Sequence, residues 1–225
     1  MKIVFDQVDK KFGIVYAIKN VSFEIDQGEF VFITGNSGAG KSTILKLILN
    51  QLKPSSGKVL LGDVELSQKN KNDVNNTRQK IGVVFQDYQL ISDKTVEENI
   101  ALILDIVSYP PEKIQSRIDK VIKEVNLGSR RFLFPSQLAG GELQRASLAR
   151  ALAIEPEVIL ADEPTGNLDP ENSWNIINLL KDINKENNTT VIMTTHNNEI
   201  VESMGKRVIK LDEGEIIKDY KHSKK

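Results

Sequence analysis

The segment at residues 35–42, Gly-Asn-Ser-Gly-Ala-Gly-Lys-Ser, most strongly restricts what this chain can fold into. It follows an apolar run at 30–34 and precedes a helical pattern that begins at Thr43. In a strand, glycine-rich loop and helix of this order, backbone N–H groups surround a phosphate and the positive end of the helix dipole points at it. The sequence therefore predicts a phosphate-binding loop (P-loop) in an α/β protein.

Two side chains of this loop carry the expected chemistry. Lys41 is predicted to reach the outer phosphates of a nucleotide, and the Ser42 hydroxyl is predicted to ligate a magnesium ion. An ordinary glycine-rich turn before a helix is the alternative interpretation. The predicted nucleotide-binding residues of the segment are Gly35, Asn36, Ser37, Gly38, Ala39, Gly40, Lys41, Ser42 and Thr43.

Composition narrows the possible function classes. Of the 225 residues, 40% are hydrophobic and 27% are charged, which suits one globular α/β domain. The 30 basic and 31 acidic residues give a net charge of −1, without the basic excess of a nucleic-acid-binding protein. The absence of cysteine excludes disulfides and thiolate metal sites. No apolar run approaches the ~18 residues of a membrane span, so any membrane role is expected to come through a partner.

Periodicity predicts a parallel sheet with two additions, because strands alternate with helices along most of the chain. The early strands suggest a small antiparallel β layer, and residues 86–136 are predicted to be an inserted helical subdomain. One domain, 1–225, is expected, with its nucleotide-binding core at 1–85 and 137–225 and a solvated, frayed basic tail at 218–225. Predicted strands lie at 3–8, 21–25, 30–34, 58–61, 81–85, 158–161, 190–194, 207–211 and 215–217, and predicted helices at 43–50, 96–107, 112–125, 140–153, 171–185 and 199–204.

Two adjacent carboxylates, Asp162 and Glu163, follow an apolar strand pattern at 158–161. Ligands of open α/β sheets gather at the C-terminal ends of such strands. Asp162 is therefore the expected magnesium partner, directly or through water, and Glu163 is expected to orient or deprotonate an attacking water. Two solvated carboxylates that cap the next element are the alternative, which the P-loop makes less favoured.

A second helix start with small residues occurs at 138–142, Leu-Ala-Gly-Gly-Glu. The N-terminus of a helix preceded by small residues is an anion site. Because one triphosphate rarely needs two helix ends, this segment is interpreted as serving a nucleotide held by another copy of the chain. On the segment alone, a glycine N-cap before an amphipathic helix is the more favoured interpretation.

Together these motifs resemble those of the ATP-binding subunits of ABC transporters, over essentially the whole chain. They occur in that family's order: a Walker A motif at 35–42, a Q-loop, a signature at 138–142, a Walker B motif at 158–162, a D-loop at 166–169 and a switch histidine. The resemblance implies that Phe12 stacks on adenine and that Gln86 joins Ser42 and Asp162 at the metal. It also implies that Glu163 and His196 are catalytic and that Asp169 belongs to the D-loop. The residues implied to contact ATP in trans, from the second copy, are Leu138, Ala139, Gly140, Gly141 and Glu142.

The resemblance also implies an architecture and a mode of action. The fold would be an α/β P-loop NTPase core with an antiparallel β subdomain and an inserted α-helical subdomain. Two copies would form a head-to-tail homodimer that sandwiches two ATP molecules with Mg²⁺, Walker A of one copy facing the signature of the other. ATP hydrolysis would open the dimer, and the helical subdomain would pass that motion to a membrane protein. The chain is thus expected at the cytoplasmic face of the cell membrane, with no nucleic-acid partner.

Within the family, the stretches 84–90, 94–100 and 169–174 are similar to the FtsE group. That resemblance implies an FtsX-like integral membrane partner, which relays ATP hydrolysis to peptidoglycan hydrolases during cell division. The segment 161–169 is shared with lipoprotein-releasing ATPases and macrolide-type exporters, so the ATPase of such a complex is the alternative. Soluble ABC ATPases of DNA repair or translation are disfavoured, because residues 44–138 hold no heptad run and only one Walker A motif is present.

One departure from the family pattern generates a prediction. The signature usually carries serine where this chain has Ala139, so one hydrogen bond to the γ-phosphate across the dimer is expected to be missing. A hydrogen bond to a charged group contributes about 1.5–3 kcal/mol. Ala139→Ser should therefore strengthen ATP-driven dimerisation and speed turnover, measured as the dimer fraction in ATP and as the ATPase rate. Equal ATPase rates in the two chains would contradict this prediction.

Overall fold

Strands and helices alternate through the part of the chain that the computed structural model describes, residues 1–67 and 71–221. Two short 3₁₀ helices, Gly128–Arg130 and Pro135–Gln137, precede the fifth α-helix. The strands are β1 (Ile3–Phe12), β2 (Val15–Ile25), β3 (Phe30–Thr34), β4 (Ser56–Leu61), β5 (Val64–Glu65), β6 (Ile81–Val84), β7 (Val158–Asp162), β8 (Thr190–Thr194), β9 (Arg207–Asp212) and β10 (Glu215–Lys221). The α-helices are α1 (Lys41–Ile48), α2 (Lys71–Arg78), α3 (Val96–Ile106), α4 (Pro111–Glu124), α5 (Gly140–Ala153), α6 (Pro170–Asn187) and α7 (Asn198–Met204).

The larger sheet has the strand order β10-β9-β3-β8-β7-β6 and is parallel except for β10, which pairs antiparallel with β9. Its central strands consist of apolar and β-branched residues that are buried along almost their whole length, as expected for a sheet covered on both faces. The register pairs Thr194 with Ile33 on one side and with Asp162 on the other. The carboxyl ends of β3, β8 and β7 therefore meet at one edge of the sheet.

Side chains of the central strands alternate between two cores. Phe30 and Phe32 of β3 pack in a cluster formed with helices α3 to α7, while Val31 and Ile33 pack in a second cluster. The second cluster contains α1 and a smaller antiparallel sheet of order β2-β1-β4-β5. The rings of Phe5 and Phe23 stack inside it at 4.5 Å between centroids. The smaller sheet is the antiparallel layer that the sequence predicted.

The helices α3 and α4 lie within residues 86–136 and pack on each other and on α5. Thr95 caps α3 and exchanges hydrogen bonds with Glu98, which satisfies backbone N–H groups at the helix start. Arg117 of α4 is buried and donates to the carbonyl oxygens of Leu152 and Ala153. Because the last carbonyls of a helix lack partners within it, Arg117 satisfies the C-terminal end of α5 and joins it to α4.

The structure corrects two local predictions. β2 begins at Val15 rather than at residue 21, and β1 extends to Phe12 rather than ending at residue 8. Most of residues 9–20, which were predicted to connect the two strands, are therefore part of a β-hairpin. Irregular register between β1 and β2 breaks the alternation by which a strand is recognised in a sequence. The predicted frayed tail is also wrong for its first part, because β10 continues to Lys221, whose Nζ lies 3.0 Å from a carboxylate oxygen of Glu29. The end of that tail, 222–225, and residues 68–70 lie outside the described residues.

None of the described helices is long and apolar enough to cross a lipid bilayer.

The packing of α5 on β6 generates a stability prediction. A Cβ atom on Gly82 would lie 2.6 Å from the backbone oxygen of Ala151, so α5 would have to move away. Gly82→Ala should lower the free energy of unfolding by about 1–3 kcal/mol, as overpacked cores do. Gly128→Ala is the matched control because nothing lies within 4 Å of its added methyl group. Denaturant unfolding measures both, and equal midpoints would contradict the packing argument.

Candidate nucleotide-binding site

The loop between β3 and α1 turns tightly around glycines. Gly40 precedes α1 with φ 104°, and a Cβ there would lie 2.6 Å from the backbone oxygen of Ala17. No other residue type fits both the left-handed backbone and the close approach of the β2 strand. The loop thus places the first N–H groups of α1 at one open cavity.

That cavity has a volume of about 680 Å³. Most of the predicted P-loop residues line it, together with side chains from the Q-loop, from the segment after β7 and from the segment after β8. Ala39 is buried instead. The lining residues are Ala17, Gly35, Asn36, Ser37, Gly38, Gly40, Lys41, Ser42, Thr43, Gln86, Glu163 and His196.

Lys41 points back over the loop. Its ammonium group lies 2.8 Å from the Gly35 carbonyl oxygen, 3.2 Å from that of Asn36 and 3.6 Å from a carboxylate oxygen of Glu163. The side chains of Lys41 and Glu163 are only 10% and 16% exposed, so their charges are poorly screened by water. A cation held here by neutral carbonyls and one carboxylate is positioned to bind anionic phosphate groups.

Two of the three predicted metal ligands, Ser42 and Asp162, lie next to each other. The Ser42 hydroxyl lies 3.2 Å from Asp162 Oδ1, and the Thr194 hydroxyl donates to the same oxygen at 2.6 Å. Gln86 lines the cavity that Ser42 also lines. Hydroxyl, amide and carboxylate oxygens are the hard ligands that magnesium prefers, so these residues fit the magnesium ion that the resemblance implies. Sequence reasoning missed Thr194, although its place at the end of a parallel strand next to β7 was the available signal.

Glu163 and His196 form a contacting pair. His196 Nδ1 lies 2.8 Å from Glu163 Oε2, and the imidazole is 72% exposed. Glu163 has a left-handed backbone with φ 48°, and its N–H donates to the Thr194 hydroxyl at 3.0 Å and to the Thr194 carbonyl oxygen. The end of β8 therefore fixes the backbone of Glu163 and turns its carboxylate towards the cavity. A carboxylate in this place can orient or deprotonate a water molecule.

The Q-loop and D-loop touch each other. The Asn167 side-chain amide donates to the Gln86 backbone oxygen at 3.0 Å, and the two side-chain amides lie 3.4 Å apart. Asp169 is the N-cap of α6 and accepts a hydrogen bond from the backbone N–H of Asn172, which lowers the pKa of Asp169. Asp169 is not among the residues that line the cavity.

The signature segment, residues 138–142, lies outside the P-loop cavity of its own chain. Ala139 is the N-cap of α5 and has no side chain that could accept a hydrogen bond. Glu142 accepts the Ala139 backbone N–H at 3.0 Å and pairs with Arg130 at 2.7 Å, and this Arg130 contact lowers the pKa of Glu142. A Cβ on Gly141 would lie 2.4 Å from the Asn172 side chain, so α5 starts directly against α6. None of the residues 138–142 lines the P-loop cavity of its own chain.

Phe12 stands at the end of β1 with 52% of its side chain exposed, opposite Val15. Ala17, further along β2, is the residue of this hairpin that lines the cavity. The stacking of Phe12 on adenine therefore stays a prediction.

Comparison with known proteins identifies relatives of the whole chain. The sequence model described as ABC transporter matches residues 18–166. The cell division ATP-binding protein FtsE of Bacillus subtilis (strain 168) is 45% identical, over 91% of this chain and 90% of that protein. The methionine import ATP-binding protein MetN of Geobacillus kaustophilus is 40% identical, over 96% of this chain and 64% of that protein.

A solved structure shares the fold. The ATP-binding cassette MJ0796, a dimer in a post-hydrolysis state bound to ADP and Pi, is 37% identical, with a TM-score of 0.89 over 99% of each chain. The fold class predicted from the sequence is confirmed.

The place of Glu163 generates a kinetic prediction. Glu163→Gln keeps the shape of the side chain but removes its ability to accept a proton. ATP hydrolysis should fall about 10²–10⁴-fold, the usual contribution of a positioned general base. ATP with Mg²⁺ should still raise the melting temperature of the variant.

Glu186→Gln is the control, because Glu186 is an exposed carboxylate on α6. We expect its phosphate release to equal that of the native chain. A Glu163→Gln chain that hydrolyses ATP at the native rate would exclude Glu163 as the base.

Proposed function

The chain belongs to the ABC transporter family and is an ATPase of that family, and from this premise we propose that it drives a membrane complex of the FtsE type. The observation that carries the proposal is one cavity lined by Lys41, Ser42, Glu163 and His196, with Asp162 beside Ser42. Similarity to an FtsE protein along nine-tenths of both chains supports the cell-division branch.

In the proposed reaction, each side chain has a separate task. Lys41 and the backbone N–H groups of the P-loop neutralise charge on the phosphates, and Glu163 orients the attacking water while His196 holds the carboxylate and meets the γ-phosphate. Ser42, Gln86 and Asp162 would hold Mg²⁺, which supplies further charge neutralisation at the phosphates. Little covalent chemistry is required of the protein, because phosphoryl transfer depends mainly on positioning and charge.

We further propose that two copies close over two ATP molecules. The signature segment does not line the P-loop cavity of its own chain, and that cavity is open to solvent. A second copy that presents the N-terminus of its α5 would complete each site with backbone N–H groups. The dimeric arrangement of the MJ0796 cassette supports this proposal.

The membrane partner is proposed to dock in an apolar groove between β6 and α3. The groove has a volume of about 280 Å³, and Ile106 at its rim is 61% exposed. Phe85 lines the groove and Gln86, the next residue, lines the nucleotide cavity, so docking and nucleotide chemistry share one loop. An apolar cytoplasmic segment of an FtsX-like protein fits this surface, which would place the chain at the cytoplasmic face of the membrane and couple it to peptidoglycan hydrolases.

A transport motor is the second candidate. Its supporting observation is the 40% identity to a MetN protein, which is named for methionine import. The same ATPase site and groove would serve a permease, so the partner decides between the two functions.

A pull-down from detergent-solubilised membranes of the source cell tests the proposal. The bait is the chain with Glu163→Gln in ATP and Mg²⁺, which is expected to stay in the closed dimer. Recovery of an FtsX-like protein with a large extracellular domain is the expected result. Recovery of a permease with a substrate cavity would establish the transport function instead, and recovery of no membrane protein would overturn both.

A second bait, Glu163→Gln with Ile106→Glu, tests the groove. Ile106 is exposed, so the new charge should not affect folding but should abolish capture of the partner. Glu163→Gln with Ile217→Glu is the matched control, since Ile217 is 49% exposed on β10, away from the groove. Equal capture by both baits would exclude the groove as the docking site.

A further inference from the structure

The Q-loop has an unusual backbone just after Gln86. Tyr88 and Gln89 follow each other in the left-handed region, with φ 62° and φ 47°. Side chains with a Cβ rarely adopt this conformation, and two in succession require that the surrounding structure hold them. The segment that sets the position of Gln86 is therefore fixed by contacts rather than by its own preference.

Those contacts come mainly from α5. Arg150 donates one guanidinium N–H to the Gln89 carbonyl oxygen at 2.5 Å and another to that of Tyr88 at 3.2 Å. Gln144, fully buried on the same helix, lies 3.4 Å from the Phe85 carbonyl oxygen. Together with the Asn167 contact to Gln86, side chains thus bind four carbonyl groups of the Q-loop.

Placing the Arg150 guanidinium at this position costs desolvation free energy. Burial lowers the pKa of its guanidinium, and in the described part of the chain no carboxylate forms an ion pair with it. A desolvated cation without a counter-ion destabilises a fold unless its hydrogen bonds compensate. Here the compensating partners are the carbonyl groups of the two residues with left-handed backbone.

We propose that Arg150 is a positioning residue of the ATPase reaction, which holds the Q-loop backbone at Tyr88 and Gln89 so that Gln86 faces the nucleotide and its metal. The inference rests on the proposed role of Gln86 and is independent of the identity of the membrane partner. Arg150 does not itself line the P-loop cavity, so its effect passes through the loop.

The test is the magnesium dependence of nucleotide binding, measured as the rise in melting temperature that ATP causes over a range of Mg²⁺ concentrations. Arg150→Met keeps the length of the side chain and removes the donors. We expect the half-saturating Mg²⁺ concentration to rise about tenfold, as when the partner of a metal ligand is removed. Arg150→Lys keeps the charge but replaces the forked guanidinium with a single donor nitrogen, so it should give a smaller rise, and it remains informative if Arg150→Met does not fold.

Arg117→Met is the matched control. Arg117 is a buried arginine that also donates to two carbonyl groups, but these belong to Leu152 and Ala153 at the C-terminal end of α5 and not to the Q-loop. Its replacement should lower the melting temperature without nucleotide and leave the magnesium dependence unchanged. An equal rise in the Arg117→Met chain would show that loss of stability alone explains the effect and would overturn the proposal.

Gln86→Ala, alone and combined with Arg150→Met, distinguishes the role of Gln86 at the metal from the role of Arg150 in positioning Gln86. If Arg150 acts through Gln86, the double variant should have the magnesium dependence of Gln86→Ala alone, because the effects of residues that act through the same contact are not additive. Additive effects would overturn the role of Arg150. If Gln86→Ala leaves the magnesium dependence unchanged, the assigned role of Gln86 fails, and with it the proposal that rests on it.

Discussion

The parallel register of β3, β8 and β7 is the constraint on which the site depends. Thr194 pairs across the sheet with residues of both neighbours, so the P-loop after β3 and the carboxylates Asp162 and Glu163 at the end of β7 arrive at one edge. The Thr194 hydroxyl then contacts Asp162, and its backbone and side chain hold Glu163. A shift of one residue in this register would turn the side chains of the strand to the opposite face and separate these groups.

Electrostatics explains why the cavity suits a charged ligand. Lys41 and Glu163 are close, poorly exposed and of opposite charge, and Asp162 lies beside the Ser42 hydroxyl with Thr194 as its other contact. Interactions between such groups are stronger than at a solvated surface because fewer water molecules screen them. Phosphate and, as we propose, magnesium would bring further charges of both signs to this site, where Lys41 and the carboxylates Asp162 and Glu163 supply charges of opposite sign to each. The P-loop glycines contribute by adopting the positive φ angles of the tight turn that brings backbone N–H groups to the cavity.

The sequence alone was sufficient to predict those elements and candidate site residues that depend on neighbours along the chain. The P-loop, the pair Asp162 and Glu163 and the long helices were predicted because spacing and periodicity carry them. Thr194 and Arg150 were not found, and neither was the contact of the D-loop residue Asn167 with Gln86, since each acts on a segment distant in sequence. Strand order and helix docking are not encoded in local patterns. The start of β2 was missed for a different reason, because irregular register obscures alternation.

The alternation of side chains along β3 has a consequence for where mutations that inactivate the protein should fall. Phe30 and Phe32 belong to the core formed with helices α3 to α7, whereas Val31 and Ile33 belong to the core under the antiparallel sheet, and the P-loop begins directly after this strand. Neither layer can loosen without disturbing the strand that carries the loop, because protein interiors are packed too densely to absorb the change. Conditional alleles of such a gene should therefore be scattered through both layers, far from any nucleotide, and should still share the phenotype of a chain that has lost its nucleotide.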